Sequence, residues 1–529
     1  MKKKHKIYLP LLLGLACAVG VLLGSKLDFT PDQKGLFSSN AKKEKLNRLI
    51  DYIDYEYVDD VNTDSIVDVT VNRILENLDP HSVYIPKNEY AGVTENMQGD
   101  FVGIGVSFYN VQDTIVVIQA MTGGPSEKLG IKGGDRILYA NDKQLYSKQI
   151  SNDSIIAQLK GAEDSRVTLT VLRKGLKNLL KFNVTRSRVP LKSVDAAYML
   201  NSDLGYIKVN RFSETTYQEF KTGLNKLKKQ GATQIAIDLR DNPGGYLSEA
   251  INIVDEFLED GQLILFTKNK KGDIEETFSN KKGAFEKNKL FVLINENSAS
   301  ASEIVAGAFQ DNDRGTIIGR RSYGKGLVQR EMELGDGSAV RLTIARYYTP
   351  TGRSIQKSYE MGNEAYFNDY ILRYKNGEMA TADSIHVTDS LRYVTPGGKI
   401  VYGGGGIIPD IFVAKNTDME RENITYALRM GLFSRFVFEE LEKNRAFYND
   451  LSWNEFYTGD VVTDETAENF LAYMKSQNVP MKINNYQPLL KKYIKSVMAE
   501  QLFGTNEFQR IINENDRIID KVIELSLTN

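Results

Sequence analysis

Two residues of this 529-residue sequence have the types and surroundings that hydrolysis by a serine nucleophile requires. Ser300 lies in the segment Asn297–Glu303, and Lys325 lies in the segment Tyr323–Gln329. A serine hydroxyl is a weak nucleophile until a base removes its proton, and histidine is the usual base. The chain has three histidines, and none has an evident serine partner in the sequence. Burial can lower the pKa of a lysine until its amine acts as a base, so we expect Lys325 to activate Ser300.

The position of Ser300 between two predicted elements favours a nucleophile. A continuous apolar run, Leu290–Ile294, predicts a buried strand, and a helix is predicted to begin near Ser300. A strand-turn-helix connection exposes a hydroxyl at a helix N-terminus, where partial positive charge stabilises a developing anion. The alternative is that Ser300 merely caps the helix, which is the usual role of serine at such a place.

Lys325 follows a second predicted strand, Thr316–Gly319, and Gln329 comes four residues after it. A neutral Lys325 amine would accept the Ser300 proton, and the Gln329 amide would orient that amine through a hydrogen bond. The alternative for a single lysine is a solvated surface charge. The glycines on both sides of Lys325 and the apolar residues after them argue against that alternative.

A glycine pair at the end of a third predicted strand predicts an oxyanion hole. The segment Arg240–Gly245 contains Gly244 and Gly245 after a proline. We expect their N–H groups, with the Ala301 N–H, to bind the negative oxygen that forms when a substrate carbonyl is attacked. A β-to-α turn that needs positive φ angles is the alternative interpretation.

Strands and helices alternate from Gly205 to Ile411, which predicts an α/β core with largely parallel, buried strands. Ligands of such cores bind at the carboxyl ends of the strands. Both the Gly244-Gly245 pair and Ser300 are predicted to lie there.

Short β-branched runs between Phe101 and Arg186 predict a separate β-rich module with one helix, Asp153–Lys160. Gly103, Ile104, Gly105 and Val106 resemble the carboxylate-binding loop of a PDZ domain, and the segment 133–138 resembles its Gly-Asp-x-Ile turn. Such a loop binds the terminal carboxylate of a peptide through backbone N–H groups while the peptide adds a strand to the sheet. The alternative is that these glycines only form tight turns.

Three motifs in order after this module resemble those of the C-terminal processing (tail-specific) serine proteases. They are Leu239–Gly245, Ser298–Ile304 and Gly324–Gln329, and Leu78–Ser82 matches a further family motif upstream of the module. The resemblance implies Ser300 as nucleophile, Lys325 as general base and Gln329 as its orienting partner. It also implies a crotonase/ClpP-like core. The chain departs from the family at positions 297–298, where Asn-Ser replaces the usual Gly-Thr.

Two other classes of protein share part of this pattern. A non-catalytic PDZ scaffold would bind peptides without needing serine, lysine and glutamine beside an oxyanion turn. An acyl-CoA-processing enzyme of the crotonase type would share the α/β core and the glycine pair, but it has no use for a tail-binding module or an export signal.

The composition limits the ligands that the chain is expected to bind. A formal charge of −2 without a basic domain argues against a nucleic-acid partner. Cys17 is the single cysteine, so neither an intrachain disulfide nor a cysteine metal cluster is expected. The proposed chemistry needs no metal and no cofactor.

The N-terminus predicts export from the cytoplasm. Five of the first six residues are lysine or histidine, and an apolar run from Ile7 to Gly24 follows them. We favour an uncleaved anchor in the inner membrane of a bacterial cell envelope, with the body of the protein in the periplasm. Signal cleavage, or lipid attachment at Cys17, is the alternative.

The predicted fold class is a multidomain α/β and β protein: a crotonase/ClpP-like protease core with an inserted PDZ domain and helical segments at both ends. The predicted parts are an anchor (1–25), a helical N-terminal segment (26–98), a PDZ domain (99–187), a serine protease core (188–415) and a helical C-terminal extension (416–529). The expected partners are protein substrates held by their C-termini. A homo-oligomer and an adaptor protein are both compatible with the sequence.

Overall fold

The computed structural model describes residues 41–528, apart from residues 112, 281, 417–418 and 480–486. The chain divides into two compact units, with the boundary between Ile74 and Leu75. The first contains helix α1 (Ala41–Glu56) and most of α2 (Thr63–Glu76). The predicted anchor lies outside the described residues. Within the described part of the chain, no helix is long and apolar enough to cross a membrane.

The PDZ region forms a small antiparallel sheet in the order β3-β4-β5-β7-β8, with β6 paired to β5. A two-stranded ribbon of β2 and β9 lies at its start and end. The bounds from the end of α2 onward are β1 (Val83–Ile85), α3 (Lys87–Gln98), β2 (Asp100–Gly103), β3 (Val106–Val111), β4 (Thr114–Ala120), α4 (Pro125–Lys128), β5 (Arg136–Ala140), β6 (Lys143–Gln144), α5 (Asn152–Leu159), β7 (Arg166–Leu172), β8 (Leu180–Thr185) and β9 (Ser187–Pro190).

The helix predicted over Asp153–Lys160 is confirmed within one residue as α5. Ser151 caps it by accepting the Ser154 N–H, the usual signal for a helix start. Ile155 and Leu159 of α5 are buried against Ile104 and the inner faces of the strands. β3 is an edge strand, because it pairs with β4 and with no other strand among the described residues.

The predicted α/β core contains a six-stranded sheet in the order β10-β11-β12-β15-β16-β21, in which β21 is Ile411–Phe412. Only the β10–β11 pair is antiparallel among these strands. The bounds are β10 (Val194–Met199), β11 (Leu204–Val209), α6 (Thr216–Lys229), β12 (Gln234–Asp238), α7 (Leu247–Val254), β13 (Leu263–Asn269), β14 (Ile274–Phe278), β15 (Lys289–Ile294), α8 (Ala301–Asp311), β16 (Thr316–Gly319), β17 (Leu327–Glu333) and β18 (Ala339–Tyr348).

A second, antiparallel sheet departs from the prediction of largely parallel strands. Its order is β1-β18-β13-β14, and β17 also pairs with β18. β1 belongs to the segment that we expected to be helical, yet Val83 pairs with Arg341 more than 250 residues later. This sheet matters for function, because β17 begins two residues after Lys325.

The C-terminal extension is helical, as predicted. The remaining bounds are α9 (Asn363–Phe367), α10 (Asp369–Lys375), two short 3₁₀ turns (Ala382–Ser384 and Asp389–Leu391), β19 (Arg392–Val394), β20 (Ile400–Tyr402), β21 (Ile411–Phe412), α11 (Met419–Arg429), α12 (Leu432–Lys443), α13 (Arg445–Asp450), α14 (Trp453–Thr458), α15 (Asp464–Ser476), α16 (Gln487–Phe503), α17 (Thr505–Ile512) and α18 (Arg517–Leu527).

The apolar positions from Ile424 to Leu441 have a helical spacing that predicts one helix, and this prediction is wrong, because two helices cover them. Gly431 has a φ of 70° and separates α11 from α12, because a left-handed residue cannot continue an α-helix. Most helices of the extension share their own apolar core, whereas α18 covers one face of the six-stranded sheet through Ile518, Ile519 and Val522. The predicted fold class, a multidomain α/β protein with helical ends, is confirmed.

Candidate active site

Ser300 lies in the turn between β15 and α8, as the sequence predicted. Its φ of 54° and ψ of −115° are strained for a residue with a side chain. Such strain is typical of functional turns that aim a side chain away from the backbone. The Ser300 N–H donates to the Glu303 carboxylate at 2.9 Å, so the turn is held by its own helix.

Glu303 connects the Ser300 turn with the Lys325 loop. Its side chain is fully buried, and its two oxygens also accept the Ser322 hydroxyl at 2.5 Å, the Gly324 N–H at 2.7 Å and the Lys325 N–H at 2.8 Å. Burial raises the pKa of Glu303, and these four hydrogen bonds oppose that effect. One carboxylate therefore holds the backbone of both predicted catalytic residues.

The Tyr347 hydroxyl is a second link between the same two residues. It lies 3.0 Å from the Lys325 carbonyl oxygen and 3.3 Å from the Ser300 carbonyl oxygen, and the tyrosine is buried in β18. Its proton can bond to either carbonyl. The antiparallel sheet thus holds the serine turn and the lysine loop together.

The Lys325 amine has the properties of a base. Burial, followed by the charge of Arg341, lowers the pKa of Lys325 to about 8. Its Nζ donates to the Gln329 Oε1 at 2.7 Å, and the Gln329 amide nitrogen in turn donates to the His81 carbonyl oxygen. Gln329 is the third residue of β17, so the Lys325–Gln329 contact forms along extended chain and not across a helical turn.

The segment Asp79–Ser82 fixes the far end of this chain of hydrogen bonds. The Asp79 carboxylate accepts the backbone N–H groups of His81 and Ser82, the Ser82 hydroxyl and the Thr343 hydroxyl. It thereby anchors the turn to β18. Sequence reasoning identified this motif by resemblance but assigned no role to its side chains.

The His81 ring faces the same cavity as Lys325. Its Nε2 lies 2.7 Å from the Tyr366 hydroxyl, and burial, followed by the charge of Lys325, lowers the pKa of His81 to about 4. The imidazole is therefore neutral at pH 7 and adds no charge beside the lysine.

The Gly244-Gly245 turn packs directly against the start of α8. A Cβ on Gly244 would lie 2.7 Å from the Ser300 Cβ and 2.9 Å from the Ala301 nitrogen, and one on Gly245 would lie 2.1 Å from the Phe212 oxygen. The φ angles of the two residues are 100° and 145°. Close approach and positive φ together require glycine at both positions.

One detail of the predicted oxyanion hole differs in the structure. The Gly244 N–H donates to the Asn242 side-chain oxygen at 2.8 Å, so it is already occupied. Among the described residues, the N–H groups of Gly245 and Ala301 have no such acceptor. They are the donors that a substrate oxygen would meet first in this conformation.

A cavity of about 630 Å³ opens beside the serine turn, and residues of five separate segments line it: His81, Asp241, Pro243, Asn297, Ala299, Tyr323, Lys325 and Arg429. Within the described part of the chain, no hydrogen bond joins the Ser300 hydroxyl to the Lys325 amine. Glu303 and Tyr347 thus hold the two residues, without a hydrogen bond between the Ser300 and Lys325 side chains.

The predicted tail-binding loop joins β2 to β3. Gly105 has a φ of 70°, and a Cβ there would lie 3.1 to 3.3 Å from Val189, Gly124 and Pro125. The carbonyl groups of Ile104 and Gly105 accept the N–H groups of Ser126 and Met121. The loop leads into the open edge of β3, the place where a peptide strand would add.

Three family models match separate parts of the chain. A model of peptidase family S41 matches residues 203–362, a PDZ-domain model matches residues 102–184, and a family of unknown function matches residues 424–504. The chain is 36% identical over 306 residues to the carboxy-terminal-processing protease of Bartonella bacilliformis, which covers 57% of this chain and 69% of the relative. The chain belongs to the carboxy-terminal processing proteases of family S41.

A second relative of this family is the carboxy-terminal processing protease CtpA of Bacillus subtilis, 32% identical over 326 residues, or 61% of this chain and 69% of the relative. Among solved structures, the photosystem II D1 C-terminal processing protease is 25% identical and covers 71% of this chain and 89% of its own, with a TM-score of 0.36. A putative S41 protease from Bacteroides fragilis is 14% identical and covers 65% and 99%, also with a TM-score of 0.36.

As a member of this family, the chain is a serine-type peptidase with a PDZ domain. Sequence reasoning missed the positioning residues Glu303 and Tyr347 and the cavity residue Arg429. Glu303 could have been found, because a serine followed three residues later by glutamate is the capping-box pattern, in which the glutamate binds backbone N–H groups. Tyr347 and Arg429 have no local signal, since each reaches the site from a distant part of the chain.

Proposed function

We propose that this chain is an endopeptidase that cleaves peptide bonds with Ser300 as nucleophile and Lys325 as general base. The observation that supports this most is the Glu303 carboxylate, which binds the backbone of both residues and places a lysine with a pKa of about 8 at the serine turn. A base with a pKa near the working pH is suited to proton transfer.

In the proposed reaction the neutral Lys325 amine removes the Ser300 proton while the serine oxygen attacks the substrate carbonyl. The N–H groups of Ala301 and Gly245 stabilise the negative oxygen, and Gly244 contributes if Asn242 releases it. The protonated Lys325 then gives its proton to the leaving amine, which leaves an acyl-enzyme. Water, activated by the same lysine, hydrolyses the ester and regenerates Ser300. Gln329 keeps the amine oriented throughout.

The substrate in this proposal is a protein whose free C-terminus binds the PDZ domain. The loop at Gly103–Val106 receives the terminal carboxylate, and the tail adds a strand to the edge of β3. Catalytic hydrogen bonds are commonly incomplete before substrate binds. We infer that tail binding favours a conformation in which Ser300 and Lys325 make direct contact, which requires that the tail bind that conformation more tightly.

Location in the cell is a further part of the proposal. The basic residues and the apolar run before residue 25 support an inner-membrane anchor, with the peptidase in the periplasm. Misfolded or processed envelope proteins would then be its substrates. Digestion by an added protease would check this placement. The body of the protein should be protected in intact cells and digested once the periplasm is opened.

The proposed mechanism is tested by degradation of an unfolded protein with an apolar C-terminus. We expect the wild type to degrade it and Ser300→Ala and Lys325→Met to lose activity by about 10³-fold or more, since each removes an essential group. Tail binding by both variants should persist, which separates catalysis from recognition. Degradation by both variants at the wild-type rate would refute the serine-lysine mechanism, and tail binding without any degradation by the wild type would favour the scaffold alternative.

A further inference from the structure

The C-terminal extension contributes a cation to the catalytic cavity. Arg429, the last residue of α11, lines the cavity of about 630 Å³ together with Lys325 and His81. It lies outside the segments that the peptidase and PDZ models match and inside residues 424–504, which match the family of unknown function. Its presence in the cavity is therefore a property of the extension and not of the peptidase core.

The Arg429 guanidinium is weakly held. Its nearest ion-pair partner, the Asp241 carboxylate, lies 3.9 Å away, and the two side chains are 66% and 56% exposed. The Asp241 carboxylate already accepts the Asn297 amide at 2.7 Å. Long, exposed ion pairs contribute little stability, so most of the guanidinium donors remain available to a ligand.

The contrast with Arg240 shows that the weak contact is specific to Arg429. Arg240, the neighbour of Asp241, donates to Asp516 of the extension at 2.9 and 3.0 Å and is almost completely buried. That pair fastens the extension to the same turn. Because the Arg240–Asp516 ion pair already binds the extension to this turn, Arg429 is not needed to hold the extension in place.

Cations are in excess around Arg429. A second cavity of about 410 Å³ shares Asp241 and Arg429 with the catalytic cavity, and its lining contains seven lysine or arginine side chains and five carboxylates. This excess of positive charge favours an anion. A polypeptide carries two kinds of anion, the terminal carboxylate and the side chains of aspartate and glutamate. In the proposed function the PDZ loop takes the first, which leaves the second for Arg429.

We propose that Arg429 is a specificity-determining residue that binds an aspartate or glutamate side chain of the substrate at one fixed position near the scissile bond. The planar guanidinium can hold a carboxylate through two parallel hydrogen bonds. This inference rests on the proposed function, because it needs cleavage at Ser300.

The test is a cleavage-site profile on a mixture of unstructured peptides that share one apolar C-terminus and vary in internal sequence. Mass spectrometry of the products gives the residue preference at each position around the cut. For wild type we expect glutamate or aspartate to exceed its amide counterpart by roughly 10-fold in kcat/KM at one position, the size of a charge-assisted contact. Arg429→Gln should abolish that preference through KM, and Arg429→Glu should replace it by a preference for lysine or arginine.

Lys475→Gln is the matched control, since Lys475 is an exposed cation of the same extension that lines neither cavity. Its profile should equal that of wild type. An identical profile in wild type, Arg429→Gln and Arg429→Glu would overturn the inference, as would an equal loss of kcat on acidic and amide peptides. Ser300→Ala is included throughout: cleavage by that variant would refute the proposed function, whereas inactivity of that variant with unchanged Arg429 profiles would refute this inference alone.

Discussion

The serine turn and the PDZ loop are both turns with positive φ angles, yet they are built in opposite ways. At the serine turn, one buried carboxylate accepts four hydrogen bonds from two segments, and a buried tyrosine hydroxyl joins the same segments. At the PDZ loop, the backbone leads into the unpaired edge of β3. The first region is held by hydrogen bonds from buried side chains, whereas the second borders a strand edge that pairs with no other strand among the described residues.

This difference corresponds to what each region must do. Nucleophile and base act only within a narrow range of geometry, and small displacements of such groups are costly in rate. Strand addition draws on regular backbone hydrogen bonds and therefore tolerates varied tail sequences. Changes at the serine turn should therefore affect kcat, and changes at the PDZ loop should affect KM or the affinity for tails.

The pH dependence of kcat should distinguish the serine turn from the PDZ loop by the largest effect. Lys325 must be neutral to act as a base, and its pKa is about 8, so protonation at lower pH inactivates it. The neutral fraction, and with it kcat, should rise by roughly 90-fold between pH 6 and pH 9. His81 stays neutral over this range because its pKa is about 4. Degradation rates at saturating substrate measure the effect.

The control for this profile is tail binding by Ser300→Ala over the same pH range. The terminal carboxylate of a tail remains ionised from pH 6 to pH 9, so its affinity for the PDZ loop should change little. A flat kcat profile would remove Lys325 as the base. A parallel change in tail affinity would mean that protonation of Lys325 also acts on the tail-binding step, and that pH cannot distinguish the two regions.

Glu303→Gln should have the next largest effect. The amide nitrogen would face the N–H groups of Ser300 and Lys325 in one orientation, or the Gly324 N–H and the Ser322 hydroxyl in the other, and buried donors without acceptors are costly. We expect kcat to fall by about 10- to 100-fold with little change in KM. Because the Glu303 charge raises the pKa of Lys325, the midpoint of the pH profile should also move below 8.

That shift of the midpoint distinguishes a positioning residue from one that only stabilises the fold. Glu256→Gln is the matched control, since Glu256 is a buried carboxylate of the same core that binds Tyr217 and Lys221. It should alter thermal stability without moving the midpoint. A Glu303→Gln enzyme that keeps both kcat and the midpoint of the wild type would exclude the positioning role.

The sequence could predict those parts of the site that one continuous segment of the chain forms. Ser300 follows its strand and begins its helix within a dozen residues, and the Gly103–Val106 loop is likewise local. Strand and helix periodicity, turn glycines and motif order are sufficient for such features. The same reasoning located the parallel strands, whose apolar runs are visible one at a time.

The parts that escaped prediction depend on pairing between distant segments. Nothing local in Val83–Ile85 shows that this strand pairs with β18, or that the preceding turn will anchor Gln329. The local sequence does not distinguish Tyr347 from other strand residues. Its hydroxyl reaches the Ser300 and Lys325 carbonyl groups only because β18 passes next to the serine turn. Strand register across hundreds of residues is set by packing, which a single sequence does not display.

Gly105→Ala tests the open region, with a smaller effect expected. The positive φ and the contacts at 3.1 to 3.3 Å should displace the loop when a methyl group is added. We expect tail affinity to fall by about 10-fold, while kcat at saturating substrate stays near that of wild type, since a residue forced into the left-handed region costs about 1–2 kcal/mol. Tail binding by fluorescence anisotropy and degradation kinetics together measure the split.

Gly175→Ala is the control for backbone strain in the same domain. Gly175 has a φ of 87° but open space around its Cα, and it lies in the turn between β7 and β8. Its substitution should cost similar stability without changing tail affinity. A fall of kcat at constant affinity in Gly105→Ala would contradict the division of labour between the two regions.

The smallest expected effect is that of Tyr347→Phe. This variant tests whether catalysis needs the second link between the serine turn and the lysine loop. Removing the hydroxyl deletes one hydrogen bond to the Lys325 or Ser300 carbonyl group and leaves the ring packing intact. A single hydrogen bond contributes about 1 kcal/mol, so kcat should fall by roughly 5-fold while KM and tail affinity stay unchanged. Tyr348→Phe is the control, because Tyr348 is the next residue of β18 and its ring stacks on Phe266 at 4.9 Å, away from the catalytic residues. Since Glu303 still joins the two segments in Tyr347→Phe, a loss as large as that of Glu303→Gln would mean that the hydroxyl, and not the carboxylate, is the main link between the nucleophile and its base.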